Sequence, residues 1–386
     1  MFELEVRHFS IPLRQSLQIG QATLQQREGR WLRLRSRGGP SAWSECAPLP
    51  GLHRESLTDT DAALVRIRTT WLRCLNTDDV LQTFKSTAKL YVEQDVPVSL
   101  RFALDALFLN DVFLNASEVL SETFQTPWLQ PTECRPVQAL LWGAPSDWLQ
   151  ALKQRWQQGY RTFKVKVGRA PVHEERMALH DLIRHMPATA RLRLDANRLW
   201  SFEQACTFLK GIDLAPIDYL EEPLADPSLL PLLSSRCACP LALDESLQEW
   251  AYSAAPSVEQ VAHVIPGWAE AQTLVIKPAT LGGWEDWSHW KCLAQQHQKA
   301  LVVSSCFESP IGIASLALWS SFSHSQIPKD HQGHALERGV DTHNVLGLDT
   351  ERWLALPPAS LAVEQGRITQ HRLLSCLRGE GLGIDS

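Results

Sequence analysis

Six ionisable residues fall where successive apolar runs of this chain stop. Lys164 and Lys166 lie in "TFKVKV", Asp195 in "RLRLDA", Glu221 in "IDYLEE", Asp244 in "LALDES" and Lys277 in "TLVIKP". From Lys166 onward the steps are 29, 26, 23 and 33 residues, each the length of one strand–helix unit. A strand has a side-chain period of two, so Lys164 and Lys166 share one face while Phe163, Val165 and Val167 share the other. Two like charges on one inward face need a chemical reason. Three carboxylates from three strands offer hard oxygen donors that can hold Mg²⁺, with Mn²⁺ a possible substitute, and leave positions for water and a substrate oxygen. Zinc fits poorly, because no His or Cys stands at these ends. A lysine works as a base only if it loses its proton near neutral pH, and a neighbouring cation lowers its pKa. Proton abstraction beside a substrate carboxylate suits this set, since cationic groups can stabilise the resulting enediolate.

Each residue alone has an ordinary reading. One Asp after a strand commonly caps the next helix, and one Glu-Glu-Pro is commonly a solvated turn. Five consecutive units that end in this way form a pattern, and (β/α) barrels draw catalytic groups from the C-terminal ends of several strands.

The elements that must carry these residues begin near Pro136. Short apolar runs, "VQALLW" through "LVVSSC", alternate with amphipathic stretches such as "SDWLQALKQRWQQ" and "EDWSHWKCLAQQHQ". That alternation predicts a parallel sheet with crossover helices, and both a closed barrel and an open doubly wound sheet satisfy it. No GxGxxG follows an early strand, which weakens a dinucleotide-binding reading. Before the linker "TPWLQPTECRP", the runs "FELEVRHFSIPL" and "RWLRLRS" read as strands, "RGGPSAW" as a turn, and residues 57 to 124 as helices, giving an α+β unit. "GRITQHRLLSCL" near the end reads as strand or helix.

Composition narrows the classes. The 386 residues are 44% apolar and 21% charged with net charge −6, which describes a globular protein without a basic nucleic-acid footprint. No run reaches the roughly 20 apolar residues of a membrane helix. The first residues show no secretory pattern, so a cytoplasmic location is expected. Nine scattered cysteines without a CxxC spacing read as reduced thiols.

The segments "FKVKVG", "LRLDANRLW", "YLEEPL", "LALDESL", "VIKPATLGG", "VVSSCFESPIG" and "GLDT" resemble the o-succinylbenzoate synthase family, in the muconate-lactonising-type branch of the enolase superfamily. "WSECAPLPGLHRESL" resembles that family's cap segment. The resemblance implies an α/β fold, a (β/α)₇β TIM-like barrel with an N-terminal α+β capping domain. The expected units are the cap over 1–134, the barrel over 135–345, and a segment over 346–386 that returns to the cap. The implied reaction is Mg²⁺-dependent syn dehydration of 2-succinyl-6-hydroxy-2,4-cyclohexadiene-1-carboxylate, on the route to menaquinone or phylloquinone. By the same resemblance Asp195, Glu221 and Asp244 bind the metal, Lys166 is the base, Lys164 lowers its pKa, and Lys277 stabilises the enediolate. Ser304 and Ser305 are candidates for the succinyl carboxylate and Arg193 for the substrate, with Asn197 supporting the ligands. A dipeptide epimerase, an N-succinylamino-acid racemase, a muconate-type cycloisomerase and a non-catalytic binding barrel are alternatives. The cap loop from Gln15 to Thr23 is expected to decide between the dehydratase and the three other enzymes. His324, His331, His334 and His343 stand in a long stretch before "GLDT" that reads as a solvated loop. The partner expected is a small carboxylate substrate, and oligomeric state is left open.

Overall fold

The computed structural model describes residues 2–36, 38–124, 135–251, 258–321 and 367–380. The His-containing stretch and "GLDT" lie outside the described residues.

The chain starts with a long antiparallel hairpin, β1 (Glu3–Ile19) and β2 (Ala22–Arg35), in register from Glu3↔Arg35 to Ile19↔Ala22. The register shifts between Pro12 and Leu17, where proline cannot donate to the ladder. A third strand, β3 (Ala42–Cys46), pairs with β2 within a stretch whose start reads as a turn in the sequence. All five residues of β3 are buried, so it shows none of the polar alternation that marks a half-exposed strand. Four helices follow: α1 (Leu57–Cys74), α2 (Val80–Glu93), α3 (Val98–Asn115) and α4 (Ser117–Phe124). Ser56 caps α1 reciprocally with Asp59, which fixes where the preceding loop ends. Helix α3 is buried on nearly every side, because it is enclosed by β3 on one flank and barrel helices on the other. Asn110 of α3 donates to Trp43 O and to Ser315 Oγ, tying the two layers together.

After β4 (Arg135–Pro136) comes the parallel sheet. Its strands are β5 (Ala139–Leu141), β6 (Thr162–Lys166), β7 (Arg191–Asp195), β8 (Ile217–Glu221), β9 (Leu241–Leu243), β10 (Ala271–Ile276) and β11 (Ala300–Val303). Each pairs in parallel with its sequence neighbour, so the spatial order equals the chain order. A doubly wound sheet reverses its order at a switch point, and this one does not. The architecture is a TIM-like barrel with an N-terminal capping unit, as expected. Connecting helices are α5 (Trp148–Gln157), α6 (Val172–His185), α7 (Phe202–Leu209), α8 (Leu230–Arg236), α9 (Glu245–Ala251), α10 (Val258–Val264), α11 (Pro278–Leu281), α12 (Trp284–Gln296) and α13 (Pro310–Ser320).

Phe163, Val165, Leu192, Leu194 and Leu220 have no exposed surface and join the core that also takes in the cap helices. Near the end, β12 (Arg367–Ile368) pairs with β4, and α14 (Gln370–Leu377) lies against α13 and β3. "GRITQHRLLSCL" is therefore a short strand followed by a helix. No described helix is long and apolar enough to cross a membrane.

Candidate active site

Strand register brings the charged strand ends side by side. Lys166, Asp195 and Glu221 are lateral partners across β6, β7 and β8, and Asp244 follows β9 directly. Asp195 and Glu221 have no exposed surface, and Asp244 is 1% exposed. Three buried carboxylates are costly unless paired. Lys164 Nζ donates to Glu221 Oε1 at 2.9 Å and Oε2 at 2.7 Å, and stands 2.6 Å from Asp195 Oδ2. Lys166 Nζ donates to Asp195 Oδ2 at 2.6 Å and to Asn197 Oδ1 at 2.7 Å. Lys277 Nζ donates to Asp244 Oδ2. The two lysines of "TFKVKV" thus face the barrel interior.

In this arrangement no three acidic, histidine or cysteine side chains among the described residues are spaced to close on one metal ion; ammonium groups bind the carboxylates instead. Burial pulls Lys164 down, but Asp195 and Glu221 outweigh it and hold the ammonium well above its usual range. Burial also lowers Lys166, and although Asp195 opposes this, the charge of Lys164 adds to it, so its pKa lies below normal. Lys277 is raised, because Asp244 and Glu245 overcome its burial. Burial would raise Asp195, yet Lys164 and Lys166 keep it well below the carboxylate range. Glu221 goes the other way, pushed up by burial and by the charge of Asp195.

A second layer of polar contacts shapes the rim. Asn197 Nδ2 donates to Glu245 Oε1 at 2.9 Å, linking the loop after β7 to α9. Burial and the charges of Asp244 and Asp195 raise Glu245 to about 7. Asn197, Arg198 and Glu222 hold positive φ of 44°, 60° and 40°. Such left-handed conformations persist in non-glycine residues when surrounding contacts hold them. Here Arg198 N donates to Glu222 O at 2.7 Å, and Arg198 Nε to Glu222 Oε2 at 2.9 Å. Arg198 also grips Glu249 and Ser246 Oγ. Glu222 Oε1 accepts from the amides of Asp244 and Ser246 at 3.0 and 2.8 Å, fixing the turn that carries Asp244. Gln248 Nε2 donates to Asp244 Oδ1 at 2.6 Å. Arg198, Glu222 and Glu245 were missed as site residues in the sequence, although each adjoins or lies beside a residue that was singled out.

Arg193 shares the inward parity of Asp195 but lies one step toward the strand starts, paired laterally with Lys164 and Tyr219. It is fully buried, donates to Gln138 Oε1 at 2.8 Å, and has Asp218 Oδ2 3.5 Å from its Nε. Ser304 follows β11, nearly buried, its amide donating to Ile276 O at 2.7 Å. Ser305 follows it with partial exposure. The loop from Gln15 to Thr23 is the tip of the β1–β2 hairpin.

Residues 147–351 match the family model described as Enolase C-terminal domain-like, and residues 1–88 match that of the MenC N-terminal domain. The chain is 30% identical over 358 residues to the o-succinylbenzoate synthase of Thermosynechococcus vestitus, covering 91% of this chain and 93% of that one. It is 28% identical over 214 residues to the chloroplastic protein PHYLLO of Arabidopsis thaliana, spanning 55% of this chain and only 12% of that much longer protein. Among solved structures, the o-succinylbenzoate synthase from Thermosynechococcus elongatus BP-1, complexed with Mg in the active site, superposes with a TM-score of 0.61 at 25% identity. That match covers 92% of this chain and 95% of the other.

Proposed function

The chain belongs to the o-succinylbenzoate synthase family of the enolase superfamily, and from that membership we propose that it is a lyase converting 2-succinyl-6-hydroxy-2,4-cyclohexadiene-1-carboxylate to 2-succinylbenzoate. The product is an intermediate toward menaquinone or phylloquinone. The observation that carries the reading is the interlocked set of three ammonium groups and three buried carboxylates at neighbouring strand ends.

The donor set fits a magnesium-class dication. Asp195, Glu221 and Asp244 offer only hard oxygen ligands, and Glu221, pushed up by burial and a neighbouring negative charge, gains from an added cation. Manganese satisfies the same ligand chemistry. When bound, the dication would supply Lewis-acid stabilisation of negative charge growing on the substrate carboxylate. Lys166 and Lys277 would give up their contacts to Asp195 and Asp244 and turn toward substrate.

Lys166, whose pKa is lowered by burial and by Lys164, takes the proton from the carbon bearing the carboxylate. It then returns that proton to the departing hydroxide, which leaves as water from the same face. Lys164 stays charged, keeps Glu221 and Asp195 in place, and adds positive potential beside the carboxylate. Lys277, turned from Asp244 toward substrate, brings a positive charge that stabilises the enediolate. Asn197 orients Lys166 through its 2.7 Å contact. Ser304 and the Ser305 amide receive the succinyl carboxylate, and Arg193 braces the ring from the layer beneath.

The test is a substrate panel. Purified protein with Mg²⁺ is supplied with the cyclohexadiene carboxylate, with Ala-Glu and with N-succinyl amino acids. Dehydration of the first without epimerisation of the others is expected. Epimerisation with no dehydration would replace this reading by the epimerase alternative.

A further inference from the structure

His53 sits in the cap segment that links β3 to α1, is 8% exposed, and uses both ring nitrogens. The amide of Leu49 donates to Nδ1 at 2.9 Å, so Nδ1 is the acceptor. Nε2 then carries the hydrogen and donates 3.0 Å to the carbonyl of Ala279, in the barrel. This tautomer is the neutral imidazole. A second proton would set Nδ1–H against the Leu49 N–H, two donors facing one another. Burial pushes the ring down to about 4, with Glu55 opposing and Arg27 adding to the shift, so at neutral pH the contact is intact.

Ala279 is two residues past Lys277, in a turn held by Thr280, whose amide and hydroxyl both donate to Lys277 O at 2.9 Å. A second point joins the same region of the cap to the barrel. The guanidinium of Arg27 in β2 donates to Pro48 O at 3.2 Å and, across the interface, from Nε to Phe307 O at 3.0 Å. Segment 48–57 and β2 also line a cavity of about 560 Å³, whose walls include Thr23, Gln25, Arg27, Pro50, Arg54 and Glu55, all from the cap. Its wall is therefore fastened to the barrel at the turn after β10 and at the loop after β11.

We propose that His53 is a positioning residue that latches cap segment 48–57 to the turn following Lys277 and so presets the cavity wall before substrate arrives. The kinetic part rests on the dehydratase reading with this cap cavity as the way in for substrate; the structural part does not. Losing the latch leaves Lys166 and its contacts on β7 untouched, so substrate capture suffers more than chemistry.

Two substitutions separate the hydrogen bonds. In His53→Asn the side-chain oxygen can still accept from Leu49 N, but the side chain is too short to reach Ala279 O. In His53→Gln the amide nitrogen reaches Ala279 O while the Leu49 bond is lost. The expected result is about a tenfold rise in KM for His53→Asn with kcat within about threefold, from loss of one buried hydrogen bond. His53→Gln should stay near wild type in KM. Hydrogen exchange of segment 48–57 should quicken in His53→Asn and remain slow in His53→Gln. A His53→Asn protein with wild-type KM and exchange, or a His53→Gln protein as impaired as His53→Asn, would overturn the latch. If the wild-type protein does not dehydrate the diene, the functional reading fails and the exchange measurements alone decide the latch.

Discussion

Replacing Lys164 by Met removes the ammonium that bonds both oxygens of Glu221 and stands 2.6 Å from Asp195. Its side chain is 9% exposed and both partners are fully buried, so water cannot take over the lost contacts. Breaking a buried ion pair by deleting one partner costs roughly 3–5 kcal/mol, several times a surface pair. The cost has a defined pH course. Asp195 is held below its unfolded value of 3.8, so the stability it contributes is full above that value and fades as pH falls toward its folded pKa. Glu221 is raised above 4.5, so its ionisation weighs against the fold as pH climbs, and more so without Lys164. The stability gap between wild type and Lys164→Met should therefore shrink as pH falls below 3.8, stand near its Asp195 share by pH 5, and widen further toward pH 8 as Glu221 begins to ionise. Urea denaturation of both proteins at several pH values, without metal, measures it. Mg²⁺ at one fixed concentration should then narrow the gap, because carboxylates that have lost their ammonium bind the dication more tightly and stabilisation grows as RT ln(1 + L/Kd) at free-ligand concentration L. A gap under about 1 kcal/mol at pH 7, or one that does not change with pH, would refute the description of Lys164 as a buried counter-ion.

Lys166→Ala should abolish turnover while calorimetry still detects Mg²⁺ binding; wild-type-like turnover would remove Lys166 from the role of base. Asp244→Asn should weaken Mg²⁺ binding at least tenfold by calorimetry, because it removes a charged ligand. Unchanged affinity would break that assignment. Gly312→Ala places a methyl group 2.5 Å from Glu308 Cβ and 3.2 Å from Glu45 Oε2, so a loss of about 1–3 kcal/mol is expected in thermal or urea unfolding.

The residue pattern by itself determined the strand–helix rhythm and the placement of charge at strand ends, because periodicity and spacing are local properties of the chain. It also set Lys164 and Lys166 on one face. Its strand–helix rhythm is satisfied by both a closed barrel and a doubly wound sheet, since strand order is a non-local property; the unreversed pairing from β5 to β11 settled that point. β3 escaped notice because burial on both faces erases alternation. Tertiary structure also decided which charges meet. Spacing placed Arg193 and Asp195 alike, yet one faces Gln138 and Asp218 and the other faces two lysines. Likewise no local signal ties His53 to Ala279, 226 residues away. A side chain's type is written in the sequence, but its partner is chosen by packing, which brings distant segments together and withdraws them from water.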